Sequence, residues 1–478
     1  MNTTSAESSF GQRLQQRIAQ SRFFTFSLLL HTVIVVLAGG AVLFHTSPVA
    51  PDFAPPDGVI LEAGEKVDEP VIPMENLSQS EPQPESQPAV PRLMPNMIVT
   101  NAPGTHPPLE LVKVSVKIRE NLGQYEKPVA RPPTHGVPAA MAQRIGSTAR
   151  MKAAVKVGGT PKSEKAVMAG LLWLKDRQNA DGSWSDEFIP AMTGLALLAF
   201  LGHGELPVSP EFGPTVKKAL DWVLERGHEF DGRMSLTKDG FAPQSAVYEH
   251  AILTYAMGEY FSMTGDARFE PLLKKAVGYI VDGQTPVGGW DYQYAKGPRN
   301  DLSVAGWQIQ ALKAAHLTGL GIPGVDDALD RAMGFIKKWQ GNEGGFGYTG
   351  PENRVSLTGV GVLCTYFWKE SKDRTVKEGI DFLLGKADVK YIGSKAPADL
   401  YGWYYDTQAC LMFGGSAWEK WRRMFQDEIA DNQSPDGSWP ATAGAHLQPK
   451  PAGAGPFYRT TLCVLMLEVF YRYMPVSK

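Results

Sequence analysis

From Thr160 to the C-terminus the apolar positions recur at helical spacing, and the helices so predicted are of two alternating kinds. One kind carries Lys and Asp along one side, as in Leu273 to Val281 and Leu329 to Gln340, so it should face water on that side. The other kind, as in Val247 to Tyr260 and Ser356 to Trp368, is apolar nearly all round with small residues between, and must be enclosed. Six pairs follow one another at near-constant spacing. The first joins a run ending at Gln178 to Thr193 to Phe200. Then come Val216 to Leu224 with Val247 to Tyr260, Leu273 to Val281 with Asp301 to Ala315, and Leu329 to Gln340 with Ser356 to Trp368. Val376 to Leu384 pairs with Tyr404 to Phe413, and the helix holding Trp421 pairs with Tyr458 to Phe470.

Sharp turns separate the partners, and the first and last are nearly the same: Asp181-Gly182-Ser183-Trp184 and Asp436-Gly437-Ser438-Trp439. Asp-Gly takes positive φ at little cost, so each reads as a hard reversal between an outer and an inner helix. Thr160-Pro161 supplies an N-cap and a first-turn proline where the array starts. No unit can bury both its faces alone, which defines a repeat architecture. An open array needs polar caps at its ends, yet the first and sixth copies are the best preserved. The sixth is therefore expected to pack on the first, giving an all-α double ring over 160–478.

Upstream the pattern changes twice. Residues 1–22 are polar and hold Arg13, Arg17 and Arg22, and Phe23 to Phe44 then runs without a formal charge. At ~1.5 Å per residue that run can cross a ~30 Å hydrocarbon layer, so 23–44 is predicted to be a transmembrane helix. The preceding arginines, with Asp52, Asp57 and Glu62 after it, orient the N-terminus to the cytoplasm and the bulk outside. The alternative, a cleaved signal peptide, fits less well because the charged lead is long and the apolar run extended. Half of the 36 prolines fall between Pro48 and Pro138, so 45–159 is predicted to be a disordered tether. Leu111 to Arg119 alternates enough for a short strand within it.

Composition narrows function mainly by exclusion. A net charge of −3 offers no electrostatic case for nucleic acid. The three cysteines, Cys364, Cys410 and Cys463, fall in predicted helices and form no C-x-x-C pair, so they read as buried thiols rather than metal ligands or disulfides. No cofactor site is evident.

Gln178 with Asp181 to Trp184, Gln433 with Asp436 to Trp439, and the weaker Gly288-Gly289-Trp290 and Gly345-Phe346 resemble the QW repeats of the squalene-hopene cyclase and protein prenyltransferase superfamily. The resemblance covers about 161–478. It implies an α6/α6 toroid with a pocket opening at the N-terminal ends of the inner helices, and it makes Gln178, Trp184, Trp290, Gln433 and Trp439 structural staples between neighbouring repeats. The departures bear on chemistry. The Asp-x-Asp-Asp acid of class II cyclases is missing, Val325-Asp326-Asp327 being better read as charge at a helix start. The Asp-x-Cys zinc motif of the prenyltransferases is missing too. The N-terminal arm, the Ser-x-x-x-His of Ser27 and His31 and the proline-rich stretch resemble TonB-type energy transducers. That implies a bacterial inner-membrane anchor, a periplasmic C-terminal domain, and an ExbB/ExbD-like motor partner engaging Ser27 and His31.

Aligned on their first turns, the inner helices place Thr193, Glu249, Ala305, Thr358, Thr407 and Thr460 at one level, with Asp406 and Arg459 just before it on adjacent helices, close enough to pair. Around that level cluster Tyr248, His250, Trp307, Gln308, Tyr404, Tyr405, Gln408 and Tyr458. Aromatic rings with a few polar groups suit an apolar or amphipathic ligand, a lipid, isoprenoid or peptide strand, and suit core packing almost as well. Three expectations follow: a tethered binding module, an isoprenoid cyclase in which Asp301 or Asp406 replaces the absent acid, or an envelope scaffold driven by a motor.

Overall fold

A computed structural model describes residues 137–368, 373–392, 398–441 and 454–473. Two short helices, α1 (Ala139–Ala142) and α2 (Ser147–Lys156), precede six pairs. The pairs are α3 (Pro161–Asp176) with α4 (Ile189–Gly202), α5 (Gly213–Glu229) with α6 (Ala246–Thr264), and α7 (Glu270–Gly283) with α8 (Leu302–Leu317). They continue as α9 (Val325–Lys338) with α10 (Val355–Phe367), α11 (Arg374–Lys386) with α12 (Leu400–Phe413), and α13 (Gly415–Asp431) with α14 (Ala454–Leu467). A last turn, α15 (Val469–Arg472), follows. No strand is present among the described residues beyond isolated bridges near Gln340 and Phe346.

The two helix kinds take the places their patterns require. On α5, Val216, Ala219, Leu220 and Val223 form one buried stripe while Lys217 and Asp221 face water. On α6 every residue from Ala246 to Met263 is buried. Each even-numbered helix from α4 to α12 touches the next, and α14 touches α4, so the inner ring closes. The odd-numbered helices lie outside: α7 packs on α6 and α8, α9 on α8 and α10, and α3 bridges α14 and α4 across the seam. The all-α double ring is therefore set by the chain's own helix contacts.

Four glutamines join neighbouring units in the same way. The Gln178 side-chain amide donates to Gly182 O in its own turn (2.9 Å) and to Thr215 O at the start of the next outer helix (2.9 Å). Gln284 repeats this with Gly288 O and Ala328 O, and Gln340 with Gly344 O and Thr375 O. Gln433 does so with Gly437 O and Ala166 O, which returns the chain to its first outer helix. The tryptophan of the turn donates its indole N–H to the end of its own outer helix: Trp184 to Leu174 O, Trp290 to Ile280 O and Trp439 to Ile429 O. Gly437, at φ 94°, leaves no room for a side chain, because a Cβ there would strike the Ala169 carbonyl on α3.

One boundary needs correction. The disordered tether was expected to run to 159, but α1 and α2 are helical, and Arg144 and Arg150 are buried against the rings. Proline stops at Pro138 and an alanine-rich stretch follows, which favours helix, and two arginines find carbonyl and carboxylate partners. No helix among the described residues is long and apolar enough to cross a membrane. The run 23–44, with Ser27 and His31, and the strand at 111–119 lie outside the described residues.

Candidate functional site

Several residues expected at a pocket are occupied by architecture. His250 lies in the second unit, which has no glutamine staple. Its Nδ1 accepts the Met234 backbone N–H (3.0 Å) and its Nε2 donates to Ala276 O on the next outer helix (2.9 Å). That pairing fixes a neutral ring, and burial drives its pKa down to about 4. The threonine of other units plays half this role: Thr193 Oγ1 accepts Trp184 N–H and Thr358 Oγ1 accepts Phe346 N–H. His250, rather than its neighbour Glu249, therefore occupies the threonine position in the second unit. Glu249 sits buried in the first turn of α6, and burial lifts its pKa to about 7.

Gln308 is held at both ends, accepting from Tyr294 OH (2.8 Å) and donating to Val247 O (3.0 Å). Tyr248 OH meets Ser303 Oγ (2.8 Å), joining α6 to α8, and Tyr458 is buried at the start of α14. Asp301 caps α8: its carboxylate accepts Ser303 N–H, Val304 N–H and Ser303 O–H, and pairs with Arg299 at 2.9 Å. Burial still lifts its pKa above the ordinary value.

Asp406 and Arg459 do not pair. Arg459 Nε donates to Trp439 O (3.1 Å), and its Nη1 has no hydrogen-bond partner. Neither oxygen of Asp406 has one either. Its carboxyl lies in the seam between α12 and α10, against Gly359, whose backbone amide approaches without making an ordinary hydrogen bond. Burial, reinforced by Asp399, raises its pKa well above the usual carboxyl range and so favours its protonated form.

What remains is a cluster across the ring axis between α8 and α12, which are not neighbours in the ring. The Trp307 ring stacks on Tyr404 (centroids 5.5 Å apart, planes 18° apart) and meets Tyr405 edge-on at 5.6 Å. Tyr404 OH donates to Gln310 Oε1 (3.1 Å), and Gln408 Nε2 donates to Tyr404 O (3.0 Å). Four polar atoms of this cluster are buried without a partner: Trp307 Nε1, Gln310 Nε2, Tyr405 OH and Gln408 Oε1. Gln310 approaches the Tyr405 hydroxyl without ordinary hydrogen-bond geometry. Each such atom costs roughly 1–3 kcal/mol left unpaired. Two of them are donors, one is an acceptor, and the Tyr405 hydroxyl can act as either.

Below the cluster, toward the C-terminal ends of the inner helices, lies a charged floor. Arg144 Nη1 bonds Glu259 Oε2 at 2.7 Å, and Arg472 Nη2 bonds Tyr255 OH at 3.0 Å and Glu259 Oε1 at 3.4 Å. Burial alone would raise the Glu259 carboxyl, but Arg144 and Arg472 outweigh it and hold it down at about 2. The helix that carries Tyr404, α12, touches α15, which carries Arg472, so the floor lies next to the cluster. Gln310, Glu259, Arg472 and Arg144 were missed in the sequence. Gln310 lies three residues after Trp307 and shares its helix face, and Glu259 is one of only two acidic residues in α6, the other being Glu249, so signals existed for both.

The class of molecule this defines is an α/α double ring with an aromatic, partly unpaired axis. No protein-family model matches the chain, and no curated protein matches it in sequence. Among solved structures, the GH76A alpha-1,6-mannanase of Salegentibacter sp. HEL1_6, as an inactive variant with alpha-1,6-mannotriose, is similar at TM-score 0.49 and 10% identity, over 65% of this chain and 99% of that one. The type II terpene cyclase MstE from Scytonema is similar at TM-score 0.43 and 13% identity, over 65% of this chain and 98% of that one.

Proposed function

We propose that the double ring is a binding module that takes an amphiphile into its axis between α8 and α12. The observation that carries this is the set of four unpaired polar atoms, on Trp307, Gln310, Tyr405 and Gln408, inside an otherwise aromatic wall. Aromatic faces accept an apolar body, and two donors, one acceptor and a hydroxyl that can act as either match a head bearing oxygen, as in an isoprenoid alcohol, a fatty acid or a peptide terminus. On this reading Tyr404, Tyr405, Gln408 and Trp307 contact the ligand, while His250 and Gln308 hold the wall. The test is native mass spectrometry of the protein with geranylgeraniol, palmitate and a hydrophobic tripeptide. One-to-one binding of one of these, weakened in Trp307→Phe and Gln310→Leu, supports the reading, and binding unchanged in both variants rejects it.

A second reading is isoprenoid cyclisation with Asp406 as the acid, favoured by its unpaired carboxyl, whose raised pKa favours the protonated form. Against it, that carboxyl rests on Gly359. Incubation with squalene decides: turnover abolished by Asp406→Asn supports an acid role, and unchanged squalene removes it.

From the sequence we also propose that 23–44 holds the protein in the bacterial inner membrane with the ring on the periplasmic side, coupled through Ser27 and His31 to a proton-driven motor. Co-purification with an ExbB/ExbD-like complex that is lost on His31→Ala supports that role, and co-purification that survives the change rejects it.

A further inference from the structure

The segment 137–159 joins the N-terminal stretch to the rings, and its contacts are unlike those of the repeats. Both α1 and α2 pack against α15, the last turn of the chain, rather than into a groove between ring helices. Met141 is buried and Ile145, Ala153, Ala154 and Val157 pack partly buried against the core, and single side chains and carbonyls add polar ties. Arg144 reaches through to the floor, donating through Nε and Nη2 to Arg472 O (3.1 and 2.8 Å) and through Nη1 to Glu259. Gln143 donates to Tyr471 O (3.0 Å), and Arg150 to His203 O (2.9 Å). At the far end the Trp418 indole donates to Val157 O (2.9 Å). The outward face is uncovered, with Met151 and Val155 exposed.

Beneath the segment lies the polar floor. Arg472 Nε and Nη1 and both oxygens of Glu468 are buried there without partners, and α15, which carries Arg472, touches α12, the helix of Tyr404. We infer that residues 139–156 form a strap that closes the base of the ring and can open without unfolding it, giving the axial cluster a second entrance at the end opposite the starts of the inner helices. Any displacement of the preceding chain reaches Met141, Gln143 and Arg144 before the rings, so the strap also links the N-terminal stretch to the floor of the site. A unit fastened by one small apolar face and a few buried hydrogen bonds, with its other face in water, belongs at the low-stability end of a fold. Breaking Arg144 away leaves Glu259 paired with Arg472 alone, so one carboxylate and one guanidinium remain matched. This inference rests on the axial site as the ligand site, but its structural half can be tested separately.

The experiment is native-state hydrogen exchange followed by mass spectrometry on the whole protein, with geranylgeraniol association measured in parallel. In the wild type, amides of 139–156 and 469–473 should exchange together, at least about 10-fold faster than α8 and α10. Arg144→Met should speed that unit a further ~10-fold or more and leave α8 and α10 unchanged. Gly204→Ala acts from the other side, since a Cβ at Gly204 would strike the Arg144 carbonyl, and should give the same local pattern. Exchange of the strap and the inner helices in a single step, in the wild type or in both variants, overturns the strap. Local opening with unchanged geranylgeraniol association overturns the gate and spares the site. Local opening with no geranylgeraniol binding in any protein counts against the ligand reading alone.

Discussion

The side-chain amide of Gln433 donates a hydrogen bond to the Ala166 carbonyl oxygen at 2.8 Å, across 267 residues of chain. The same amide bonds Gly437 O at 2.9 Å, so one side chain ties the sixth turn to the first outer helix. Its geometry matches that of Gln178, Gln284 and Gln340 within the array, and the seam is therefore built like three of the array's own joints.

Gln433→Ala should therefore cost about as much as Gln178→Ala, roughly 1–3 kcal/mol each, because each leaves two carbonyls without their donor. Urea unfolding of the two variants checks this. A seam variant as stable as the wild type, beside a destabilised Gln178→Ala, would mean that the ring is held shut by something else.

His250 should give the second unit a pH dependence of its own. His250 is neutral in the fold with a pKa near 4, below its unfolded value of about 6.5, so its contribution is complete above ~6.5 and is lost as pH falls toward 4. Glu249 and Asp399, both lifted to about 7, act in the opposite sense, losing stability as pH rises from ~4 to 7. The histidine is isolated by comparing the wild type with His250→Gln. Across that window the wild type should lose up to about 3 kcal/mol relative to the variant as pH falls. A difference that stays constant with pH would show that the ring nitrogen is not buried in its neutral form.

Asp406→Asn should become increasingly stabilising as pH rises. The folded carboxyl has a raised pKa, so its favourable contribution is complete below the unfolded value of about 3.9 and is lost as pH climbs toward the folded one. Relative to the wild type the variant should gain stability as pH rises above ~4, by at most about 1.4 kcal/mol per pH unit. Stabilities that do not diverge as pH rises would indicate a paired, ionised Asp406.

The double ring was legible because two helix kinds alternate and the first and last turns match, both local signals. The Thr160 N-cap, accepting Ser163 N–H at 3.2 Å, and the acidic start of α9 at Asp326 and Asp327 were legible for the same reason. The site was legible only as a neighbourhood. First-turn alignment grouped Asp406 with Arg459, but a carboxyl on an inner helix can face a seam as well as the axis, and a one-residue shift in the second unit set Glu249 where His250 belongs. The floor was hidden because Arg144 and Arg472 lie outside the repeats, so no periodicity reports that they converge on Glu259.

The measurement that bears most directly on the binding account is native mass spectrometry of the whole protein titrated with geranylgeraniol, palmitate and a hydrophobic tripeptide, in the wild type and in Trp307→Phe with Gln310→Leu. The account predicts a single bound molecule whose affinity falls about 10-fold or more in the double variant, the change expected when about 1.4 kcal/mol of hydrogen bonding to its head is removed. Binding that is absent for all three ligands, or equal in both proteins, would contradict it and leave ordered water as the partner of those buried atoms.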